Sequence, residues 1–146
     1  METAAVDPSV LASQLERRIA LLTRWLRSVS HSGRSLAALL TLARLDEEGP
    51  MRISELAAAE AVAQPTMTGL IQRLEDDGFV RRTRDVDDAR AVQVAITTAG
   101  SNHLEHYRAA RAEALRARLD GLDPAVLAAL AAALPALDHL VAQDGA

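Results

Sequence analysis

Hydroxyl, amide and arginine side chains that could contact a ligand are concentrated between positions 64 and 90, QPTMTGLIQRLEDDGFVRRTRDVDDAR. Residues 64–73 contain no acidic side chain, and this part of the segment ends in an arginine. Threonine hydroxyls can donate to phosphates, glutamine amides can pair with adenine, and the planar fork of arginine suits phosphate and guanine. The segment could be ordinary helix and loop, or a surface whose side chains can contact DNA. In the second interpretation the candidate residues are Gln64, Pro65, Thr66, Thr68, Gly69, Gln72, Arg73 and Arg84.

The charge of the surrounding segment argues in the opposite direction. Residues 52–90 contain six arginines but eight acidic residues, and the whole chain has a formal net charge of −4. Arg81 and Arg82 therefore have two interpretations, a solvated strand face or phosphate contacts, and Gly69 is either a tolerated helix glycine or a site of close backbone approach to DNA. Some acids must point away from DNA or be offset by arginines, or binding is weak and strongly salt dependent. These acids are Glu75, Asp76, Asp77, Asp85 and Asp87.

Other chemistries find little support in the sequence. The chain has no cysteine, which excludes disulfides, thiolate nucleophiles and thiol-based redox sensing. His103 and His106 flank Glu105 at helical spacing, and His31 is a third candidate ligand, but so sparse a set is more typical of exposed or hydrogen-bonded histidines than of a metal site. With no glycine-rich phosphate loop and no catalytic set, the sequence predicts neither an enzyme nor a bound cofactor or metal.

Aromatic rings are rare in this chain, which has one Trp, one Tyr and one Phe. Trp25, His31 and Tyr107 combine an apolar body with a polar atom. One interpretation is that they line a pocket for a small aromatic or lipophilic effector. The alternative is that Trp25 and Tyr107 are core or dimer contacts.

The composition is that of a helical protein. A chain of 146 residues, 49% of them hydrophobic, suits one domain with or without an appended helical pair. Its core must consist mainly of Leu, Ala and Val, and the first two are helix formers. All 16 basic residues are arginine, which a GC-rich genome alone would also explain. Without a signal-peptide pattern or an uninterrupted apolar run of about 18 residues, we expect a cytoplasmic protein with no membrane partner.

Helical periodicity predicts four helices in the first half of the chain. Asp7 and Pro8 begin the first, which extends to about residue 29, and Ser54 is placed to cap the third. The fourth begins at Gln64 and ends before Gly78. The residues expected to face the core are Leu36, Leu39, Leu40 and Leu45 of the second helix and Met67, Leu70, Ile71 and Leu74 of the fourth.

The pattern then changes to a hairpin followed by two helices. Alternation with a period of 2 on both sides of DVDDAR predicts a β-hairpin. Thr98 is placed to cap a fifth helix ending near Leu119, and Asp123 begins a sixth, which Pro135 should kink or shorten. The first and sixth helices carry apolar stripes that need a partner, within the chain or across a two-fold axis. The stripes are Leu15, Ile19, Leu22, Leu26 and Val29, and Leu127, Leu130, Leu134, Leu137 and Val141.

The order helix, turn, helix, hairpin is that of a winged helix-turn-helix, and nearly the whole chain resembles the MarR family of bacterial transcriptional regulators. The resemblance is carried by ISELAAAEAVAQPTMTGLIQRLEDDGFVRR, the wing segment DVDDAR and VQVAITTAG. It implies a mainly α fold with a small β-hairpin wing, in which residues 1–33 and 98–146 form a dimerisation region and residues 34–97 bind DNA. The chain departs from the family at Ala61, where glycine is frequent, at Glu60, where an apolar residue is common, and at Gly69, where a larger polar or basic residue is frequent.

The resemblance also implies a homodimer on a double-stranded DNA operator. The helix of residues 64–77 would lie in the major groove, while Arg90 at the wing tip enters the minor groove and Asp88 orients it. We therefore expect a dimeric regulator of a pseudo-palindromic operator, usually a repressor, that responds to a small-molecule ligand. The alternative from another class is a winged-helix module for protein interaction, in which the arginines are solvated.

Overall fold

The computed structural model describes residues 6–29, 35–84 and 92–142. Their order of helices and strands confirms a mainly α fold with a small β-hairpin. The elements are α1 (Pro8–Val29), α2 (Leu36–Glu48), β1 (Met51–Arg52), α3 (Ile53–Ala59), α4 (Gln64–Asp76), β2 (Val80–Arg84), β3 (Val92–Ile96), α5 (Thr98–Leu119) and α6 (Pro124–Val141).

The three strands form one antiparallel sheet in the order β1-β3-β2. In the hairpin, Val80 pairs with Ile96 at the base and Arg84 pairs with Val92 at the far end. The short strand β1 joins the other side of β3 through Met51, which pairs with Val94. The connection of residues 85–91 lies outside the described residues, and so do four residues of the sequence predictions, Asp85, Asp87, Asp88 and Arg90.

The core beneath the sheet is formed by aliphatic side chains of α2, α3, α4 and the hairpin. The inward face predicted for α4 is confirmed, because Met67, Leu70, Ile71 and Leu74 are all buried. On α2 the prediction is half wrong: Leu39 and Leu45 are buried, but Leu36 and Leu40 are 38% and 48% exposed. The buried residues of α2 include Ala38, Thr41 and Leu42 instead, whereas Leu36 and Leu40 line a cavity beside α4 and stay accessible.

Two of the four predicted helix caps are confirmed and two are wrong. Asp7 and Asp123 accept hydrogen bonds from the N–H groups of Ser9 and Ala125, each at 2.8 Å. Ser54 lies inside α3, which begins one residue earlier and whose first turn is closed by Glu55 accepting from the Arg52 N–H at 2.7 Å. The cap of α5 is Thr97 rather than Thr98, because the Thr97 hydroxyl oxygen accepts from the Gly100 N–H at 3.1 Å.

The chain divides between Ala110 and Arg111 into two compact units. In the second unit, α6 continues from Pro124 to Val141 with Pro135 inside it, so its boundary does not shift at the proline. None of the 18 residues of α6 is buried, and their mean hydropathy is 1.7. By length and composition alone, α6 is therefore long and apolar enough to cross a membrane. The sequence did not predict this, because only uninterrupted apolar runs were considered.

Candidate nucleic-acid interface

The helix α4 has a buried face and an exposed polar face. Pro65 occupies its first turn, where a missing N–H breaks no helical hydrogen bond. Opposite the buried stripe, Gly69 is half-buried and the other predicted contact residues of this helix are exposed. These exposed residues are Gln64, Pro65, Thr66, Thr68, Gln72 and Arg73.

The N-terminus of α4 is open to an anion. Its N-cap is Ala63, which offers no side-chain hydrogen bond, and no acidic residue lies in the first turn. The first backbone N–H groups of the helix therefore lack side-chain acceptors, and the helix dipole adds partial positive charge there. Such a helix end favours a phosphate.

The two threonines of α4 are not equivalent. The Thr68 hydroxyl donates to the Gln64 carbonyl oxygen four residues earlier, at 2.9 Å. Since a hydroxyl has one proton, Thr68 in this rotamer offers only its oxygen lone pairs and its methyl group to a ligand. A donor to phosphate is therefore expected from Thr66 rather than from Thr68.

The acidic end of α4 is partly neutralised by the hairpin. Arg82 of β2 donates from Nε to a Glu75 carboxylate oxygen at 2.9 Å and from Nη2 to the Gln72 Oε1 at 3.3 Å. Gln72 in turn donates from Nε2 to Asp76 at 3.0 Å. Glu75 is thus offset by an arginine, as DNA binding requires of acids on this face.

Three arginines of the same region remain available for an anion. Arg73, Arg81 and Arg84 are exposed. None of them forms an ion pair with a carboxylate elsewhere in residues 6–29, 35–84 and 92–142. The exposed face of α4 and β2 therefore carries positive charge that no carboxylate of the described residues pairs with, although the whole chain is acidic.

The turn between α3 and α4 contains two of the three departures from the family pattern, Glu60 and Ala61. Ala61 has a φ of +52°, in the left-handed region that favours glycine, which explains why glycine is frequent there. Glu60 accepts from Nε of Arg44 on α2 at 2.7 Å, and Arg44 also pairs with Glu48 at 2.6 Å. The hydrogen bond to Glu60 raises the pKa of Arg44, so this acidic residue ties the turn to α2.

The root of the hairpin is fixed by contacts of α4 and α5 with the residues that lead into β2. The Thr97 hydroxyl donates to the Gly78 carbonyl oxygen at 2.6 Å, and the Phe79 N–H donates to the Leu74 carbonyl oxygen at 2.9 Å. The ring of Phe79 stacks on His103 with a centroid distance of 4.6 Å. These contacts orient the hairpin relative to α4, which no local sequence pattern specifies.

The two histidines of α5 contact neighbouring protein groups. His103 stacks on an aromatic ring, and the His106 Nδ1 lies 2.8 Å from the Asn102 carbonyl oxygen. In the described part of the chain, no group of three or more His, Asp or Glu side chains is placed to hold a metal ion. His31 lies outside the described residues.

The predicted effector residues Trp25 and Tyr107 do not line the apolar cavity beside the helix-turn-helix. Tyr107 is buried and Trp25 is half-buried, but neither lines the apolar cavity of about 250 Å³ that lies between α2, the turn and α4. Thr41, which is fully buried, lines this cavity, and its hydroxyl has no hydrogen-bond partner in the described structure. The other lining residues are Leu36, Ala37, Leu40, Glu60, Val62, Thr66, Met67 and Leu70.

Known proteins resemble this chain in both sequence and fold. The MarR family model matches residues 35–92. A helix-turn-helix transcriptional regulator of Mycobacterium tuberculosis is 39% identical over 114 residues, which cover 77% of this chain and 80% of that protein. The transcriptional repressor MdtR of Bacillus subtilis is 31% identical over 93 residues, covering 64% of this chain and 59% of that protein.

The crystal structure of a putative transcriptional regulator from Pseudomonas aeruginosa superimposes with a TM-score of 0.79. It is 31% identical, and the match covers 94% of this chain and 98% of that one. The exposed polar face of α4, the hairpin beside it and these similarities lead to one conclusion. The chain belongs to the MarR family of winged helix-turn-helix transcriptional regulators, which bind DNA and are not enzymes.

Proposed function

We propose that this protein is a homodimeric repressor that binds a pseudo-palindromic operator and leaves it when a small ligand binds. The observation that carries the proposal is the exposed face of α4, which has no acid in its first ten residues and an open N-terminus. In this proposal residues 34–97 are the DNA-binding domain. Residues 1–33 and 98–146 form the dimerisation region.

The DNA contacts follow from exposure and chemistry. The helix α4 enters the major groove, where Gln64, Gln72 and Arg73 can reach base edges or phosphates. Pro65, Thr66, Thr68 and Gly69 form the remaining surface of the helix, and Arg84 extends the contact along the hairpin. Arg90 enters the narrow minor groove, oriented by Asp88.

Dimerisation is supported by apolar surface on both terminal helices. On α1, Ile19 is 55% exposed and Leu22 is 47% exposed. On α6, Leu130 and Leu134 are 48% and 58% exposed. Exposed apolar stripes of this kind mark interaction sites, and a second copy of the chain would cover each of them. A two-fold dimer then presents two copies of α4 to half-sites about one helical turn apart.

Repression and ligand response are supported by two separate observations. A relative of similar sequence is a transcriptional repressor. The apolar cavity adjoins Thr66, Met67 and Leu70 of α4, and a molecule bound there would change the position of the recognition helix. A ligand can act only by binding better to the dimer geometry that mismatches the operator. Small aromatic or lipophilic compounds that release the protein from operator DNA would identify the effector class.

The cytoplasm is the compartment that this function requires. The family supports a cytoplasmic protein, and DNA binding would place it on the bacterial nucleoid. Burial of α6 against a second subunit would remove its apolar surface from solvent, which accounts for its hydropathy without a membrane.

Salt dependence separates this proposal from a protein-interaction module. Binding that neutralises phosphates weakens steeply as salt rises, whereas an apolar protein interface does not. We expect Arg73→Ala to weaken operator binding and to reduce the slope of log K against log salt by about 1. Arg17→Ala, on α1, is the control and should leave the slope unchanged. Binding without salt dependence would favour the protein-interaction module.

A further inference from the structure

The amide of Gln72 is held at both of its ends before any DNA is bound. Its Nε2 donates to Asp76 at 3.0 Å, and its Oε1 accepts from Arg82 Nη2 at 3.3 Å. Arg82 is itself anchored, because its Nε donates to Glu75 at 2.9 Å. A side chain on the recognition helix is therefore tied to a strand of the wing.

The chemistry of the two partners dictates which way the amide points. The guanidinium of Arg82 can only donate hydrogen bonds, and the ionised carboxylate of Asp76 can only accept them. A reversed amide would place donor against donor and acceptor against acceptor. Oε1 must therefore face Arg82, and Nε2 must face Asp76.

The held amide still has the two groups that base recognition needs. An amide nitrogen has two N–H donors and an amide oxygen has two lone pairs, so one donor and one acceptor of Gln72 remain unused. Gln72 is exposed, so these groups are accessible. A donor and an acceptor side by side match adenine, which presents N7 as an acceptor and N6 as a donor in the major groove.

We propose that Arg82 is a positioning residue that fixes Gln72 to read one adenine in each half-site. This inference rests on the proposed operator binding, and it gives Arg82 a role different from that of its neighbour Arg81. The two arginines are adjacent in β2, so their side chains point to opposite faces of the sheet. Arg82 bonds to α4, whereas Arg81 has no carboxylate partner among the described residues.

The geometry also gives Glu75 and Asp76 a function. Acids near DNA oppose binding, yet here one anchors the guanidinium and the other accepts from the amide. The planar fork of Arg82 contacts Glu75 and Gln72 at the same time, and a lysine with its single ammonium cannot reproduce this geometry. Specificity at this base pair therefore depends on an arginine that does not itself touch the base.

The test is selection of DNA from a randomised library by the intact protein and its variants, followed by sequencing. Gln72→Ala should remove the preference for adenine at one position of each half-site, with about a tenfold loss of discrimination. Arg82→Lys keeps the charge, and we expect it to lose the same preference at the same position. The slope of log K against log salt should stay unchanged. Arg81→Lys is the matched control and should keep every base preference.

Three results would overturn the inference. Arg82→Lys could retain the preference that Gln72→Ala removes, Gln72→Ala could leave every preference intact, or the lost preference could be for a base other than adenine. Arg82→Ala completes the test: a uniform loss of affinity with a shallower salt slope and unchanged base preferences would make Arg82 a phosphate contact. If the unmodified protein selects no motif at all, the proposed operator binding fails instead.

Discussion

Ala61 is the residue at which the helix-turn-helix turn is most strained. Its φ of +52° lies in a region that an L-residue with a Cβ disfavours by about 1–2 kcal/mol. The turn keeps this conformation because the Val62 N–H donates to the Ala57 carbonyl oxygen at 3.0 Å and the Arg44–Glu60 pair holds the preceding residue. The departure from glycine at this position is therefore a cost to stability.

Replacing Ala61 by glycine should stabilise the protein. The relief of strain exceeds the added entropy of the unfolded chain, and a net gain of about 0.5–1 kcal/mol is expected. Thermal unfolding should show a Tm higher by about 2 °C. Ala58→Gly, inside α3, is the control and should lower stability by about 1 kcal/mol. A Tm unchanged or lowered by Ala61→Gly would show that the turn is not strained.

Arg90, in the wing segment, provides a second test at a single residue. Arg90→Ala should lower affinity for the operator, because an arginine in a narrow minor groove is favoured by the strong negative potential there. Dimerisation should survive, since the wing is proposed to have no part in it. Electrophoretic mobility shift and analytical ultracentrifugation measure the two properties separately. Unchanged operator affinity would remove the wing from the mechanism.

Residue patterns predicted the faces of α4 but not its pairing with the hairpin. Met67, Leu70, Ile71 and Leu74 recur at helical spacing, so the face opposite them could be identified from the sequence. The contact of Arg82 with Gln72 joins two residues ten positions apart on different elements, and it depends on how the hairpin is rotated against α4. No local periodicity contains that information.

Among the elements, the hairpin is positioned by the close approach of α5 to the base of the hairpin, at Phe79 and Ile96. Gly100 lies where a Cβ would overlap the Phe79 carbonyl oxygen and approach the Ile96 Cγ1 at 2.8 Å. The same segment holds Thr97, whose hydroxyl both caps α5 and donates to Gly78. Glycine and threonine at these positions therefore fix where the wing begins.

A methyl group at Gly100 should destabilise the protein. The overlap is with backbone, which cannot rotate away, and overpacking of this kind costs about 1–3 kcal/mol or more. Urea unfolding of Gly100→Ala measures the loss. Gly69→Ala is the matched control, because its Cβ meets nothing within 4 Å and alanine in a helix gains about 1 kcal/mol over glycine. Equal stabilities of the two variants would contradict the close approach.

The extent of each element was predictable, whereas some of their ends were not. Proline and aspartate together mark the starts of α1 and α6, and glycine marks the end of α4. At α5, Thr97 and Thr98 are adjacent hydroxyl residues, so composition does not distinguish them as caps. The choice is made by the Gly78 carbonyl oxygen, a partner 19 residues away.

For the whole molecule, the exposed apolar surfaces of α1 and α6 predict that a single chain needs a partner to cover them. The stripe on α6 was visible in the sequence as apolar residues three and four apart. Leu134 and Val141 remain 58% and 76% exposed. We therefore expect a second copy of the chain to cover these side chains, and the stability of this unit would then depend on protein concentration.

A charge on the α6 stripe should dissociate the dimer. Leu134→Asp would place a carboxylate in an apolar interface, where it is desolvated without a partner. Sedimentation equilibrium should show the dimer Kd rising by about tenfold or more, with weaker operator binding as a consequence. Ala132→Asp, on the opposite side of the helix, is the control and should remain dimeric. A dimer that tolerates Leu134→Asp would exclude the α6 stripe from the interface.

We propose above that two copies of α4, related by a two-fold axis, read a specific operator. Selection of genomic DNA fragments by the purified protein at moderate salt, followed by sequencing, tests it most directly. The claim predicts enrichment of a two-fold-symmetric motif whose half-sites are about one helical turn apart. Retention of fragments without a common motif, or of a single half-site without its symmetric copy, would contradict it.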